Sequence, residues 1–231
     1  MSRISHKFNS LKAAGKKALI PFVTAGDPNP LITVKLMHKL VAAGADLLEL
    51  GVPFSDPMAD GPVIQRASER ALEHNVTMHN VLDMVREFRQ NDNDTPIILM
   101  GYLNPVEVMG YQAFSQQASE AGIDGAIIVD LPPQEAHDLL IELKNNDIDP
   151  IFLLAPTSTE KRIEMITSAA SGFVYYVSLK GVTGAATLDI DAVKEKISHI
   201  RSKTDLPIGV GFGISDDEMA GKMSVISDAV I

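Results

Sequence analysis

Short apolar runs recur along the chain, each followed by a polar loop and then by a stretch with helical spacing. The runs are LIPFVTAG (19–26), DLLELGVP (46–53), PIILMGYL (96–103), GAIIVDL (125–131), PIFLLAP (150–156), GFVYYVSL (172–179), PIGVGFGI (207–214) and DAVI (228–231). Nearly all lack alternation of apolar and polar positions, the mark of strands covered on both faces. Between them lie amphipathic stretches such as PLITVKLMHKLVAAG and PVIQRASERALEH, and the longer gap after the second run holds a further one, MHNVLDMVREFRQ (78–90). Gly or Asn closes several of these stretches, in AAGAD, EAGIDG, KNNDIDP and SAASGF, as helix C-termini do. At the start, Ile4, Phe8 and Leu11 share one face of a short helix, expected to cap the core rather than to serve as an address signal.

Alternating strands and helices, eight strands, no linker and no low-complexity segment predict a single α/β domain over residues 1–231 with a parallel sheet. Eight such units favour a closed (β/α)8 TIM barrel. An open, doubly wound sheet would bring a dinucleotide fingerprint after an early strand, and the first loop, AGDPNP, lacks one. The chain stops inside the eighth predicted strand, whereas a complete barrel of this type runs to about 250 residues. The expectation is that the natural protein continues past Ile231 and that the chain as it stands folds marginally, with apolar faces of strands eight and one open to water.

Composition narrows the chemistry. Of 231 residues 45% are hydrophobic but only 5% aromatic, with no Trp, so burial rests on Ile, Leu, Val, Ala and Met. The absence of Cys excludes a disulfide, a thiolate zinc site and a cysteine nucleophile. It fits a reducing compartment, and the cytoplasm is the expected location. A net charge of −10 argues against nucleic acid or an anionic membrane as the main partner. No apolar run reaches the roughly 18 residues of a membrane span. The histidines His6, His38, His74, His79, His137 and His199 show no metal-ligand spacing, fall mostly on helical stretches and read as surface residues, and no metal is expected.

Active sites of such barrels lie at the C-terminal ends of the strands. The second strand presents Glu49 there. Side chains alternate along a strand, so Leu48, Leu50 and Val52 share one face and Leu47, Glu49 and Gly51 the other. The barrel interior is the better place for a carboxylate than the apolar underside of a helix, and Gly51 above it leaves space for a ligand. Loss of water raises the pKa of such a group, which suits an acid/base that must give and take a proton near neutrality. The bland alternative is a structural Glu tied to a backbone amide or a buried Arg. Asp60 precedes Gly61-Pro62 and reads equally as a helix N-cap. Asp56 before Pro57 and Asp130 before Leu-Pro-Pro read as turn residues. Tyr102, Asn104, Tyr175 and Ser178 stand at other strand ends. Two glycine-rich loops, GVTG (181–184) and GVGFG (209–213), let backbone amides approach an anion, and late loops are where these barrels bind phosphate. Lys180 as a Schiff-base lysine is disfavoured, because a loop lysine keeps a high pKa.

LELGVPFSDPMADG (48–61), LIPFVTAGDP (19–28), SLKGVTGA (178–185) and GVGFGI (209–214), in order through the whole chain, resemble the tryptophan synthase alpha chains. The resemblance implies a retro-aldol cleavage of indole-3-glycerol phosphate to indole and glyceraldehyde 3-phosphate, as a step of tryptophan biosynthesis. It implies no cofactor in this chain. It also implies a beta chain that uses pyridoxal phosphate to join indole to serine, in a heterotetramer of two alpha and two beta chains. By matching position, Glu49 is the acid/base at indole C3 and the glycerol hydroxyl, and Asp60 faces the indole N–H. Phe22, Met100, Tyr102, Ile127, Val129, Leu153, Tyr175, Thr183 and Phe212 match positions lining the indole and glycerol pocket. Gly184, Gly213 and Phe212 match phosphate-binding positions. The loops carrying Asp56 and residues 181–185 are implied to close over substrate and to communicate with the beta chain, with Thr183 positioning Asp60 on closure. The family completes its phosphate site with a Gly-Ser pair just after strand eight and then adds a last helix. This chain ends before both, so it is expected to bind phosphate poorly. Three rival readings stay open: a stand-alone indole-releasing lyase, a non-catalytic regulatory subunit and another phosphate-binding barrel such as a sugar-phosphate epimerase. The intact Glu49 and Asp60 disfavour the second, and the lack of His and Asp metal ligands disfavours the third.

Overall fold

The computed structural model describes residues 2–178, 190–211, 213–214 and 216–231. In chain order the elements are α1 (Arg3–Ala13), β1 (Ala18–Leu19), β2 (Phe22–Thr24), α2 (Pro30–Ala42), β3 (Leu48–Gly51), α3 (Pro62–Glu73), α4 (Met78–Arg89), β4 (Ile97–Gly101), α5 (Leu103–Met109), α6 (Tyr111–Ala121), β5 (Gly125–Ile128), α7 (His137–Asn145), β6 (Asp149–Pro150), β7 (Leu153–Leu154), α8 (Glu160–Ala169), β8 (Val174–Val177), α9 (Ile190–Arg201), β9 (Ile208–Gly211), α10 (Asp217–Ile226) and β10 (Ala229–Val230).

The strand segments pair in parallel in two five-stranded runs, β2-β3-β4-β5-β6 and β1-β10-β9-β8-β7. The runs join because two of the eight predicted strands are each divided between them. LIPFVTAG supplies β2 to one run and Leu19 of β1 to the other, and PIFLLAP supplies β7 to one and Pro150 of β6 to the other. Pro21 has no N–H to donate to a ladder, yet its carbonyl accepts from Glu49 N–H at 3.1 Å, and Ile20 N–H reaches Val230 O at 2.9 Å. Ile151 N–H reaches Ala126 O at 2.9 Å and Tyr175 N–H reaches Phe152 O at 3.2 Å. Each divided strand thus turns one half to each neighbour and closes a (β/α)8 barrel, as the strand–helix alternation predicts.

The two faces of each strand go where alternation sends them. Leu48, Leu50 and Val52 join the apolar layer under the helices. Leu47 joins Ile20, Ile98, Ile127, Phe173 and Tyr175 in the barrel interior. The predicted N-terminal helix is α1, capped by the Ser2 hydroxyl, which accepts from Ser5 N–H. It buries Ile4 and Phe8 against the base of the interior, with the Phe8 and Phe173 rings 5.7 Å apart. Arg3 ties it down through Asp124 at 2.8 Å.

One predicted element needs correction. The run 96–103 is not all strand: β4 ends at Gly101 and α5 starts at Leu103, with Tyr102 as its extended N-cap (φ −107°, ψ 160°). The carboxylate of Asp130 accepts the Leu103 N–H at 2.8 Å. The local apolar pattern continues through Leu103, but a carboxylate from the next strand's loop satisfies the first helical N–H and turns the chain into a helix. Asn104 therefore belongs to α5 and not to a strand end.

Candidate active site at the carboxyl end of the barrel

Glu49 sits in β3 between Leu48 and Leu50, with Phe22 and Ile98 as its ladder neighbours. It is wholly buried, and among the described residues neither carboxylate oxygen has a hydrogen-bond partner. The bland alternative, a structural Glu tied to an amide or an Arg, has no support in this geometry. Burial, and then the nearby charge of Asp60, push its pKa from 4.5 up to about 8. A carboxyl group that titrates there can both donate and accept a proton near neutrality.

Asp60 lies in the loop between β3 and α3. It does not cap α3; that position belongs to Gly61, with no side-chain cap bond, and Pro62 starts the helix. Its carboxylate instead accepts from the Tyr102 hydroxyl at 3.1 Å. That hydroxyl in turn accepts the Ala59 N–H at 3.0 Å, and the Phe54 ring stacks on Tyr102 at 5.2 Å. Burial raises the pKa of Asp60 and the Tyr102 bond lowers it. Burial also pushes the Tyr102 phenol up to about 12, so it stays a donor.

Phe22, Asp60, Met100, Tyr102 and Val129 converge on one small cavity of about 20 Å³, together with Thr24, Gly51, Val52, Ile64, Ser68 and Gly101. That is room for about one water molecule. The space expected above Gly51 is not open: an added Cβ would lie 2.5 Å from the tip of the Phe22 ring. The backbone leaves room there and the aromatic side chain from the neighbouring strand takes it. A similar pair forms across the barrel, where the Tyr175 hydroxyl lies over Gly211. Tyr175 is buried and its phenol is held well above the ordinary range, by burial first and then by the charge of Glu49.

Ile127 pairs with Met100 and Leu153 with Tyr175 in the strand ladders, and all four belong to the interior cluster or pack on it. Gly213 follows β9 in an exposed loop with φ +80°, a left-handed conformation that favours glycine. Thr183, Gly184, Phe212 and Lys180 lie outside the described residues. Asp56 is exposed and accepts from the Ser55 hydroxyl at 2.6 Å, as a turn residue does. Asp130 caps α5. His38 departs from a simple surface role, because its half-buried ring stacks on Phe88 at 4.5 Å. Among the described residues no group of three or more His, Asp or Glu could hold a metal ion, and no helix is long and apolar enough to cross a membrane.

Thr24 and Ser68 face the cavity beside Asp60 and were not among the residues expected from sequence. Ser68 follows Ile64 by one helical turn and precedes Ala71, both on the inward face of α3. A helical-face reading of PVIQRASERALEH would have found it.

A family model described as "Tryptophan synthase alpha chain" matches residues 8–231. The chain is 66% identical over its whole length to the tryptophan synthase alpha chain of Thioalkalivibrio sulfidiphilus, covering 87% of that protein. It is 58% identical to that of Marinobacter nauticus, covering 86% of it. Among solved structures, tryptophan synthase subunit alpha from Legionella pneumophila superposes with a TM-score of 0.93 at 49% identity, over all of this chain and 86% of that one. Tryptophan synthase from M. tuberculosis superposes with a TM-score of 0.91 at 35% identity, over all of this chain and 89% of that one.

Proposed function

The chain belongs to the tryptophan synthase alpha chain family, and from that premise we propose how its residues carry the reaction. The family activity is that of a lyase in tryptophan biosynthesis, cleaving indole-3-glycerol phosphate to indole and glyceraldehyde 3-phosphate. Membership implies a complex with a beta chain.

Breaking the bond between indole C3 and the glycerol carbon requires the ring to leave as a neutral enamine. C3 must first gain a proton, and the positive charge that develops at N1 must be supported. Glu49, protonated up to about pH 8, gives its proton to C3. Asp60, ionised, accepts the indole N–H and stabilises the indoleninium. The glycerol hydroxyl then loses its proton to the Glu49 carboxylate as its carbon becomes the aldehyde, and the C–C electron pair returns to the ring. Glu49 ends protonated, as it began. The division of labour follows from environment: one carboxyl is sealed with no partner among the described residues, the other half-buried with a phenol donor.

The observation that carries this reading is the fully buried Glu49 of β3, with no hydrogen-bond partner among the described residues and within electrostatic reach of Asp60. Phe22, Met100, Tyr102, Ile127, Val129, Leu153, Tyr175, Thr183 and Phe212 are assigned to the indole and glycerol pocket. Gly184, Gly213 and the Phe212 amide are assigned to the phosphate. Met58, Val63 and Val108 are large apolar side chains left exposed on the β3–α3 loop, α3 and α5, and they suit a protein partner at the same end of the barrel. We assign that partner as a beta chain carrying pyridoxal phosphate, in a complex of two alpha and two beta chains, in the cytoplasm.

The test is indole release from indole-3-glycerol phosphate by the alpha–beta complex, with wild type and Glu49→Gln. Release stimulated by the beta chain and lost in the variant is the expected result. Activity surviving in Glu49→Gln would remove Glu49 from the mechanism.

A further inference from the structure

Tyr102 stands in the family-derived assignment as a pocket-lining residue, but its hydroxyl is already engaged twice. A phenol has one proton to give and lone pairs to receive. The Ala59 N–H donates to it at 3.0 Å, so the proton is free to point at Asp60 Oδ2, 3.1 Å away. The ring cannot easily drift: Phe54 stacks on it, Tyr102 as a whole is only 4% exposed, and the next residue's N–H is held by Asp130 at 2.8 Å. Asp60 has no other strong support among the described residues. It forms no ion pair there, and Gln65 bonds its backbone carbonyl at 2.9 Å and not its carboxylate. The titratable groups facing it are Glu49 from β3 and Tyr102 from the end of β4, with Asp130 behind Tyr102. Burial disfavours the ionised form of Asp60, and the Tyr102 bond works against that.

We propose that Tyr102 is a positioning residue for Asp60: its hydroxyl, fixed by the Ala59 N–H, donates to Oδ2 and holds the carboxylate ionised, leaving Oδ1 for the indole N–H. This rests on the assignment of Asp60 as the group that supports N1. The tyrosine thereby acts on the reaction through Asp60, joining the β3–α3 loop to the end of β4 in a single hydrogen-bonded unit.

A hydrogen bond to a charged group in a half-buried site is worth about one pH unit in the acceptor's titration. In Tyr102→Phe the ring and its stacking on Phe54 remain and only the donor goes. The acid limb of kcat for indole release by the alpha–beta complex, which reports ionisation of Asp60, is expected to move up by about one pH unit. Phe54→Leu removes the stack and leaves the donor, and its acid limb is expected to stay in place. Placing 3-fluorotyrosine at position 102 makes the phenol a stronger donor without disturbing the fold, and should move the limb the opposite way. An acid limb unmoved by both the Tyr102→Phe and the fluorotyrosine replacements, with Asp60→Asn inactive, overturns the proposal and leaves Tyr102 as a space-filler. Full activity in Asp60→Asn overturns the catalytic reading of Asp60 beneath it.

Discussion

Two carboxyl groups are buried on either side of β4, Glu49 in β3 and Asp124 at the entry to β5, and their surroundings differ completely. Asp124, at the entry to β5, is 3% exposed and saturated with donors. Arg89 reaches its Oδ2 at 2.8 Å, Arg3 its Oδ1 at 2.8 Å, and the Ile97 N–H its Oδ2 at 2.8 Å. Arg89 in turn spends its remaining N–H groups on the carbonyls of Gly122, Thr95 and Asp92. Glu49, the second residue of β3, is fully buried with no described partner for either oxygen. The first arrangement fixes α1, α4 and the β4–β5 ladder to one another. The second has no donor among the described residues, a cost the fold accepts where a proton must move. A buried carboxylate with donors fastens the structure; a buried carboxyl without them does chemistry at the expense of stability.

The largest expected effect separates the two roles at Glu49. Glu49→Gln should lower indole release by about 10³-fold, within the range for loss of a general acid/base. Its stability should rise, not fall. The folded-state pKa of about 8 lies above the ordinary 4.5, so the folded protein keeps a proton that the unfolded chain releases. Below pH 4.5 the group is protonated in both states and costs nothing. From 4.5 to about 8 stability falls as pH rises, and above that it levels off. At pH 7 the penalty is on the order of 3 kcal/mol. Urea unfolding from pH 4.5 to 8 should show this slope in the wild type and its absence in the variant; a variant less stable than wild type at pH 7 would sink the argument. The same titration should place the alkaline fall of indole release near pH 8, read from a pH–rate profile.

Breaking the Asp124 network should do the reverse. Arg89→Ala leaves Asp124 buried without its main cation and strips the carbonyls of Gly122 and Thr95. A loss of about 3–4 kcal/mol is expected in chemical denaturation, with indole release per folded molecule nearly unchanged at low temperature. A catalytic defect with intact stability would mean that the two carboxyl environments are coupled.

Smaller effects sharpen the picture around the cavity. In Gly51→Ala the new methyl meets the far end of the Phe22 ring. The ring can turn aside, so the stability cost should stay within about 1 kcal/mol, while the displaced ring lowers kcat/KM for indole-3-glycerol phosphate by about tenfold, in steady-state assays. Asp130→Ala removes the acceptor for the Leu103 N–H and should cost about 1 kcal/mol, measured by thermal unfolding.

Much of this was legible from one sequence because it rests on local periodicity. Uninterrupted apolar runs between helical stretches predicted a parallel barrel, and alternation around Glu49 placed it inside. The long motif LELGVPFSDPMADG carried the resemblance that the comparisons bear out. The misreadings share a cause. The run 96–103 looked like one strand because its apolar pattern does not break, yet a carboxylate 27 residues on ends it. Asp60 looked like a helix cap because its neighbours fit that role, yet its partner lies 42 residues away in Tyr102.

The sequence alone determined which faces of each element are apolar, and hence a barrel with a carboxyl group sealed into one strand. Only the tertiary structure decided what that carboxyl and its neighbours touch: that Glu49 finds no donor among the described residues, that Phe22 lies over Gly51, and that the Tyr102 hydroxyl bonds Asp60. Periodicity is a property of adjacent residues and survives in one dimension. A hydrogen bond or a ring over a glycine depends on which residues, distant in the chain, the closed barrel brings within a few ångströms.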